Sequence, residues 1–163
     1  MKEVSLYGPG GKPDYFLKLN PAGTVPVLAT EDDGVFPDSD LILDYIKESS
    51  SLHAQDPNID EVKVQTWRDN ISHKIIPVAK LAVLGGCKDD LVALLKDLDD
   101  QVEGPYLCGA SITVADCAAF PFLFRINDEF GLEGDGKLKK WLDLCSQTSC
   151  FKKTIHGAWW WWW

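Results

Sequence analysis

The ten residues LNPAGTVPVL, positions 19–28, place a proline between two valines in what otherwise reads as a β-strand. Proline cannot donate a hydrogen bond to a strand ladder, so central strands normally exclude it. Pro26 is tolerated at the start of a strand if its peptide bond is cis and the backbone beside it is left free. The N–H and C=O groups of Val25 are then open to an extended peptide that pairs with them as an added strand. The stretch therefore predicts a binding edge at Val25 and Pro26.

A second candidate binding feature lies a few residues further along the chain. In PDSDLILDYI, positions 37–46, Asp38 and Ser39 stand at the start of a predicted helix. The free N–H groups and positive dipole end there favour an anion, Ser39 adds a hydroxyl donor, and Asp38 adds an acceptor for an ammonium group. Plain helix capping is the alternative interpretation. Together with Val25, the pair predicts a short peptide ligand that carries a free amino-acid end.

The N-terminal part of the chain mixes predicted strands and helices. The stretches EVSLY (3–7), TVPVLAT (24–30) and GVFPD (34–38) have the composition of short strands, and an acidic turn joins the last two as a hairpin. Helices are predicted over residues 12–20 and 39–49 from the spacing of their apolar residues. This pattern indicates a small α/β unit.

Only helical patterns follow a polar linker. Pro77 is expected to kink or break the first of the later helices. The stretch 113–130 is apolar nearly all round, which predicts a buried central helix. The predicted organisation is an α/β domain over 1–50, a linker over 51–58 and an all-helical domain over 59–158.

The central helix has a recognisable start signal. In ASITVADCAAF, positions 110–120, Thr113 is followed three residues later by Asp116. This is the spacing of a capping box, in which each side chain accepts a hydrogen bond from the other residue's backbone N–H. A helix buried on all sides needs its end satisfied internally, because water does not reach it. Thr113 and Asp116 are therefore interpreted as structural residues.

Composition and charge exclude several classes of function. The chain has 163 residues, 45% of them hydrophobic, and a formal net charge of −9. This acidic balance argues against nucleic acid as a partner, since phosphate binding needs clustered Lys and Arg. No apolar run approaches the roughly 20 residues of a membrane span, and the first residues lack the apolar core of a signal peptide.

The five cysteines form no recognisable metal motif. None belongs to a C-x-x-C pair, and none has metal-like spacing with the three histidines. Free thiols in an intracellular, reducing compartment, either the cytoplasm or an organelle interior such as the plastid stroma, are expected, with no metal cofactor. The cysteines are Cys87, Cys108, Cys117, Cys145 and Cys150.

Three motifs together resemble the glutathione transferase family. They are NPAGTVPVL, PDSDLILDYI and GPYLCGASITVADCAAFPFLF, and they occur in that family's order and at its usual separations. The longer stretches around them, together with CFKKT near the end, resemble the plant dehydroascorbate reductase branch most. The resemblance covers most of residues 12–155 and is weak between 50 and 88.

The resemblance implies a thioredoxin-like N-terminal domain, an all-helical C-terminal bundle and glutathione as the ligand. Val25 would pair with the cysteinyl backbone of glutathione, and Pro26 would be the family's cis-proline. Asp38 and Ser39 would hold the γ-glutamyl end. Lys12 matches a lysine of that branch that can approach the glycine carboxylate, although an exposed lysine at a helix start is the alternative.

The family's catalytic residue has no counterpart in this chain. It lies on the first helix after the first strand, and in the reductase branch it is a Cys in a CPFC-like motif. Here EVSLY is interpreted as the second strand, and the first cysteine is Cys87. The thioredoxin-like domain is therefore expected to be incomplete. A sequence that begins late, a slot filled by another protein chain, and a rearranged non-catalytic domain all remain open.

Three functions are weighed for the chain as written. The favoured one is a non-catalytic glutathione transferase-like protein that serves as a structural or interaction subunit of a larger assembly. The alternative is a glutathione-dependent transferase or dehydroascorbate reductase whose catalytic segment is missing, with Cys108, in the loop before the central helix, as a substitute nucleophile. A redox sensor that uses surface cysteines is the third.

The chain ends in a run of five tryptophans, residues 159–163. Trp favours membrane interfaces and protein boundaries, so one interpretation is an anchor for such a surface. The other interpretation is a tail of non-biological origin, since five consecutive tryptophans expose a large apolar area to water.

Overall fold

A computed structural model describes residues 4, 11–32, 34–49, 59–132 and 134–155 of the chain. The predicted strand 3–7 (apart from Val4), the predicted linker 51–58 and the tryptophan run lie outside the described residues. The chain forms two compact units, residues 1–53 and 54–163, and each is described by itself.

The N-terminal unit contains two helices and a two-stranded sheet. Helix α1 spans Asp14–Leu19, strand β1 spans Leu28–Ala29, strand β2 spans Val35–Phe36 and helix α2 spans Ser39–Ser49. The strands pair antiparallel, with Leu28 opposite Phe36 and Ala29 opposite Val35.

Both strands are shorter than the predicted 24–30 and 34–38. Pro26 and Pro37 explain the shortening at the open end of the hairpin, because a proline has no N–H to donate to the ladder. The hairpin packs on α2 through the rings of Phe36 and Tyr45, whose centroids are 4.5 Å apart.

As predicted, helices joined by loops make up the second unit, and its described residues contain no strand, only an isolated β-bridge between Tyr106 and Gly109. Its elements are α3 Glu61–Asn70, a π-helical turn Ile71–Ile75, α4 Ile76–Val83, α5 Lys88–Gln101, α6 Val114–Phe130, α7 Lys137–Gln147 and α8 Ser149–Ile155. A small sheet followed by a helical bundle confirms the fold class predicted from the sequence.

Helix α6 is the centre of the helical unit. It packs against α3, the π-helical turn and α7. Every helix of the unit adds buried apolar side chains to one continuous core. Among the described residues, the apolar ones with no exposed area are Ile75, Ala79, Leu98, Val102, Leu107, Ala115, Ala119, Leu123, Ile126 and Cys145.

Of the two outcomes that the sequence predicted for Pro77, a kink or a break, the break does not occur. The chain stays helical from Glu61 to Val83, and Pro77 lies in the first turn of α4, directly after the π-helical turn. There the Ile76 N–H donates to Ile71 O, five residues earlier. A proline in a helix has no N–H to donate to the carbonyl four residues earlier, and its ring clashes with that carbonyl. The wider hydrogen-bond spacing of the π-helical turn accommodates Pro77 without ending the helix.

A buried carboxylate holds the start of α6. Asp116 has no exposed area. Its Oδ2 accepts from the Thr113 N–H at 2.8 Å and from the Thr113 hydroxyl at 2.9 Å, and Thr113 Oγ1 accepts from the Ala115 N–H at 3.2 Å. The other oxygen, Oδ1, accepts from the Leu107 N–H at 2.9 Å and from Trp141 Nε1 at 2.8 Å. The capping box therefore also fixes the preceding loop and α7.

Helix α7 is capped by a residue of another helix. Its N-cap residue, Gly136, has no side chain to accept a hydrogen bond. Asp99 of α5 takes that role, because its Oδ1 accepts from the Leu138 N–H at 2.7 Å. A Cβ at Gly136 would collide with this carboxylate. Lys137 adds a hydrogen bond from Nζ to Val102 O at 3.0 Å.

Candidate functional site

The peptide bond between Val25 and Pro26 is cis, as predicted. Strand β1 begins at Leu28, so Val25 lies outside the ladder that joins β1 to β2. The Val25 residue is 46% exposed. An extended peptide can therefore approach the chain at this position.

A buried asparagine, which the sequence analysis did not single out, organises the loop before Val25. Asn20 is 3% exposed. Its Nδ2 donates to Thr24 O at 2.8 Å and to Thr24 Oγ1 at 2.9 Å, and its Oδ1 accepts from the Ala22 N–H at 3.2 Å. Thr24 Oγ1 in turn donates to Pro37 O at 3.3 Å. This chain of hydrogen bonds brings the residue before Val25 beside the residue before Asp38.

Asp38 and Ser39 lie at the start of α2. The Asp38 carboxylate accepts from the Asp40 N–H at 2.8 Å, and its carbonyl accepts from the Ile42 N–H at 3.0 Å. Ser39 is the first residue of the helix. One function of Asp38 is therefore helix capping, the alternative that the sequence left open. Capping holds the carboxylate at the helix start. An ammonium group can pair with the carboxylate there, and an anion can bind the free N–H groups of the helix.

The side chain of Lys12 crosses the same loop. Its Cδ and Nζ lie 2.9 Å from the point where a Cβ on Gly23 would stand. Gly23 has a φ of +67°, a backbone conformation that favours glycine. The absence of a side chain at Gly23 therefore lets Lys12 lie across the loop that ends in Val25.

Three of the five thiols in the helical unit, those of Cys108, Cys117 and Cys145, are poorly suited to act as nucleophiles. Burial raises the pKa of Cys108 to about 11, with a further contribution from the negative charge of Asp116. Burial likewise raises the pKa of Cys117 to about 11 and that of Cys145 to about 12. A reactive cysteine needs a lowered pKa, so these three side chains are protonated thiols at neutral pH.

The lining of a small pocket in the helical unit includes none of the site residues that the sequence predicted. Its polar lining includes Lys63, Thr66, Gln101 and Glu103. Lys63 Nζ forms an ion pair with Glu103 Oε1 at 2.5 Å, so the two charges neutralise each other. Among the described residues, no group of three or more His, Cys, Asp or Glu side chains is arranged to hold a metal ion. No described helix is long and apolar enough to cross a membrane.

Two family models match the chain. The N-terminal domain model of glutathione S-transferase matches residues 1–49, and the C-terminal domain model matches residues 65–144.

Curated relatives come from rice, Oryza sativa subsp. japonica. The chain is 28% identical over 131 residues to "Probable glutathione S-transferase DHAR1, cytosolic". The matched region covers 76% of this chain and 58% of that protein. The chain is also 28% identical over 162 residues to "Probable glutathione S-transferase DHAR2, chloroplastic". That matched region covers 94% of this chain and 55% of the relative. The chain thus spans little more than half the length of these relatives.

Solved structures share the fold. Glutathione transferase Omega 3C from Trametes versicolor matches with a TM-score of 0.76 and 26% identity, over 94% of this chain and 75% of that one. A glutathione S-transferase from Methylobacillus flagellatus KT, crystallised with glutathione bound, matches with a TM-score of 0.68 and 20% identity, over 93% of this chain and 83% of that one.

Proposed function

Because the chain belongs to the glutathione S-transferase family, we propose that its N-terminal unit binds glutathione for the chemistry of the dehydroascorbate reductase-like branch. The observation that carries the proposal is the hydrogen-bonded link from Asn20 through Thr24 to Pro37. It joins the exposed residue Val25 to the polar helix start at Asp38, which are the two parts that an extended peptide with a free amino-acid end requires.

In the proposed complex, glutathione lies as an extended strand beside Val25 and Pro26. The Asp38 carboxylate faces the ammonium group of the γ-glutamyl residue. The Ser39 hydroxyl and the first N–H groups of α2 face its carboxylate. Lys12, which lies across Gly23, reaches toward the glycine carboxylate at the other end. The ammonium group and the glycine carboxylate thus each face a side chain of opposite charge, and the γ-glutamyl carboxylate faces hydrogen-bond donors at a helix start.

The proposed chemistry uses a thiolate that attacks the substrate, after which glutathione resolves the intermediate by thiol–disulfide exchange. The N-terminal unit would hold glutathione in the extended conformation and orient its thiol for that second step. The proposal does not assign the first nucleophile to Cys108, Cys117 or Cys145, because burial keeps all three protonated at neutral pH. Relatives named cytosolic and chloroplastic support a reducing compartment as the location.

A second candidate function is a non-catalytic glutathione-binding subunit of a larger assembly, in which another protein chain completes the sheet. The protonated state of Cys108, Cys117 and Cys145 favours it. Turnover assays with glutathione and either dehydroascorbate or a chlorinated aromatic electrophile separate the two candidates. Turnover with either substrate supports the enzyme, whereas glutathione binding without any turnover supports the subunit.

Replacing Ser39 with Ala should weaken glutathione binding without unfolding the protein. The hydroxyl supplies one hydrogen bond to a carboxylate, worth about 1.5 kcal/mol, so the dissociation constant should rise roughly tenfold. Isothermal titration calorimetry with reduced glutathione measures the effect. Ser149→Ala is the matched control, since Ser149 is the first residue of α8 in the other unit. Equal affinities for the two variants would refute the proposed role of Ser39.

Replacing Gly23 with Ala should affect both stability and binding. The φ of +67° disfavours alanine, and the new methyl group would displace Lys12. Gly11→Ala is the control, because Gly11 has a φ of +64° with no atom near the new methyl group. We expect both variants to lose about 1–2 kcal/mol of unfolding free energy. Only Gly23→Ala should also weaken glutathione binding, and equal binding by both variants would remove Lys12 from the site.

A further inference from the structure

Asn20 is buried in a unit that leaves several apolar side chains at its surface. It is 3% exposed, whereas three apolar residues of the preceding helix, α1, are between 38% and 42% exposed: Tyr15, Leu17 and Leu19. Burying an amide costs free energy unless its polar atoms are hydrogen-bonded. The place of Asn20 in the fold is therefore explained by the groups that its amide binds.

The backbone of Asn20 is fixed at both of its polar groups. Its N–H donates to Phe16 O at 2.8 Å at the end of α1, and its carbonyl accepts from the Gly23 N–H at 2.9 Å. The side-chain oxygen Oδ1 accepts from the Ala22 N–H at 3.2 Å. The remaining polar group, Nδ2, thus extends from a base that is held against the end of a helix.

Nδ2 of Asn20 sets the orientation of the peptide bond that precedes Val25. It donates to Thr24 O at 2.8 Å. The bond between Thr24 and Val25 is trans and planar, so the Thr24 carbonyl and the Val25 N–H point in opposite directions across one plane. A hydrogen bond that fixes the carbonyl therefore also fixes the direction of the Val25 N–H.

The Val25 N–H is available to a ligand. Strand β1 begins three residues later, and this N–H donates to no described backbone carbonyl. Val25 itself is 46% exposed. An N–H whose direction is already fixed loses little conformational freedom when a peptide pairs with it as an added strand. Asn20 therefore preorganises the donor that an added strand needs.

The hydroxyl of Thr24 extends the same restraint to helix α2. Thr24 Oγ1 accepts from Asn20 Nδ2 at 2.9 Å and donates to Pro37 O at 3.3 Å. The residue after Pro37 is Asp38, which caps α2. Both ends of the proposed peptide site are thus tied to one buried side chain.

We propose that Asn20 and Thr24 are positioning residues for glutathione. The Asn20 amide aims the Val25 N–H at the backbone of the bound tripeptide, and the Thr24 hydroxyl holds that N–H at a fixed distance from the start of α2. Both act through other residues, so neither is a catalytic residue. The inference rests on the proposed function. A role in the fold alone predicts a loss of stability without a loss of affinity.

The first test compares Asn20→Asp with the unmodified full chain. The new side chain keeps an oxygen for the Ala22 N–H but sets a second oxygen against Thr24 O, which turns the peptide plane. We expect the dissociation constant for reduced glutathione, from isothermal titration calorimetry, to rise roughly tenfold, as for one lost hydrogen bond. In amide proton–nitrogen correlation spectra, saturating glutathione should shift the Val25 resonance strongly in the unmodified protein and weakly in the variant.

Asn70→Asp is the matched control for Asn20→Asp. Asn70 is an asparagine of the helical unit that is 4% exposed, and its Nδ2 donates to Gln101 Oε1 at 3.3 Å. Its replacement should lower the melting temperature and leave the affinity for glutathione unchanged. An equal loss of affinity in the two Asp variants would overturn the positioning role of Asn20.

Thr24→Val gives a second test that holds even if Asn20→Asp does not fold. Thr24 is exposed, and without its hydroxyl the Asn20 amide keeps its bond to Thr24 O, so the melting temperature should change little. We expect glutathione to bind roughly fivefold more weakly, and Thr24→Ser, which keeps the hydroxyl, to restore the affinity. Thr30→Val is the control, because the Thr30 hydroxyl also donates to a backbone carbonyl at 3.3 Å, that of Gly34.

The failure of this inference and that of the proposed function give different results. If the unmodified protein does not bind glutathione, both fail. If it binds glutathione and a folded Asn20→Asp variant binds equally tightly, the proposed function stands and Asn20 has no positioning role. Full affinity in Thr24→Val refutes the role of Thr24 in the same way.

Discussion

Replacing Asp116 with Ala should cost about 3–5 kcal/mol of unfolding free energy, a large part of the stability of a small protein. The carboxylate accepts four hydrogen bonds in a site with no solvent exposure, from Thr113, Leu107 and Trp141. Its loss leaves buried donors without acceptors, and each unsatisfied donor costs about 1–3 kcal/mol. Urea unfolding followed by far-UV circular dichroism measures the effect.

Asp116→Asn tests the reason for that loss. The amide oxygen can replace one carboxylate oxygen, but the amide NH₂ group then faces N–H donors. We expect most of the destabilisation to remain. Asp128→Asn, the same change at an exposed position of α6, should change the unfolding free energy by less than about 0.5 kcal/mol. Equal stabilities of the two Asn variants would contradict the structural role assigned to Asp116.

Replacing Phe120 with Ala should cost about 3–5 kcal/mol and release α8 from the bundle. Phe120 is 3% exposed, and its ring contacts those of Phe124, Trp141 and Phe151. Truncation leaves a cavity and also removes the partner of the one buried residue of α8. Amide hydrogen exchange should therefore accelerate most in Ser149–Ile155, beyond the general loss of stability.

Phe122→Ala is the matched control for Phe120→Ala. Phe122 lies two residues further along α6 and is partly buried, and its truncation should cost less. It should also leave the exchange of α8 close to that of the unmodified protein. If both variants accelerated exchange in α8 equally, the contact between Phe120 and Phe151 would not be the attachment of that helix.

Local signals in the sequence predicted local structure well. The spacing of Thr113 and Asp116 identified the start of α6, because a capping box involves residues only three positions apart. The other partners of Asp116 escaped prediction. Trp141 lies 25 residues away, and only the packing of α7 against α6 brings its indole N–H to the carboxylate. Contacts of this kind depend on tertiary structure, which no short pattern contains.

The loop that we propose as part of the glutathione site shows the same division. The unusual position of Pro26 directed attention to Val25, and the helix pattern directed it to Asp38 and Ser39. Neither pattern pointed to Asn20, whose amide forms the hydrogen bonds that shape the loop. An asparagine followed by proline reads as an ordinary turn signal. Because Asn20 is buried, its hydrogen bonds matter for the stability of the loop, and this burial follows only from the folded structure.

For Pro77, the sequence predicted that the regular helix would be disturbed, but it did not predict the form that the disturbance takes. Proline disrupts regular α-helical hydrogen bonding, and the sequence predicted a kink or a break. The chain instead widens one turn at Ile71–Ile75 and continues as helix α4. The surrounding core favours this solution, because Ile71 and Ile75 within the wide turn and Ala79 after it all remain buried.

The cap that Asp99 provides for α7 has a consequence for the order of folding. Gly136 offers the helix no start signal of its own, and the accepting carboxylate comes from a residue 39 positions before Leu138. Nucleation is the costly step for an isolated helix of this length. Segment 137–147 should therefore stay largely unstructured until α5 has formed and docked, which places α7 late on the folding pathway and ties its appearance to the assembly of the bundle.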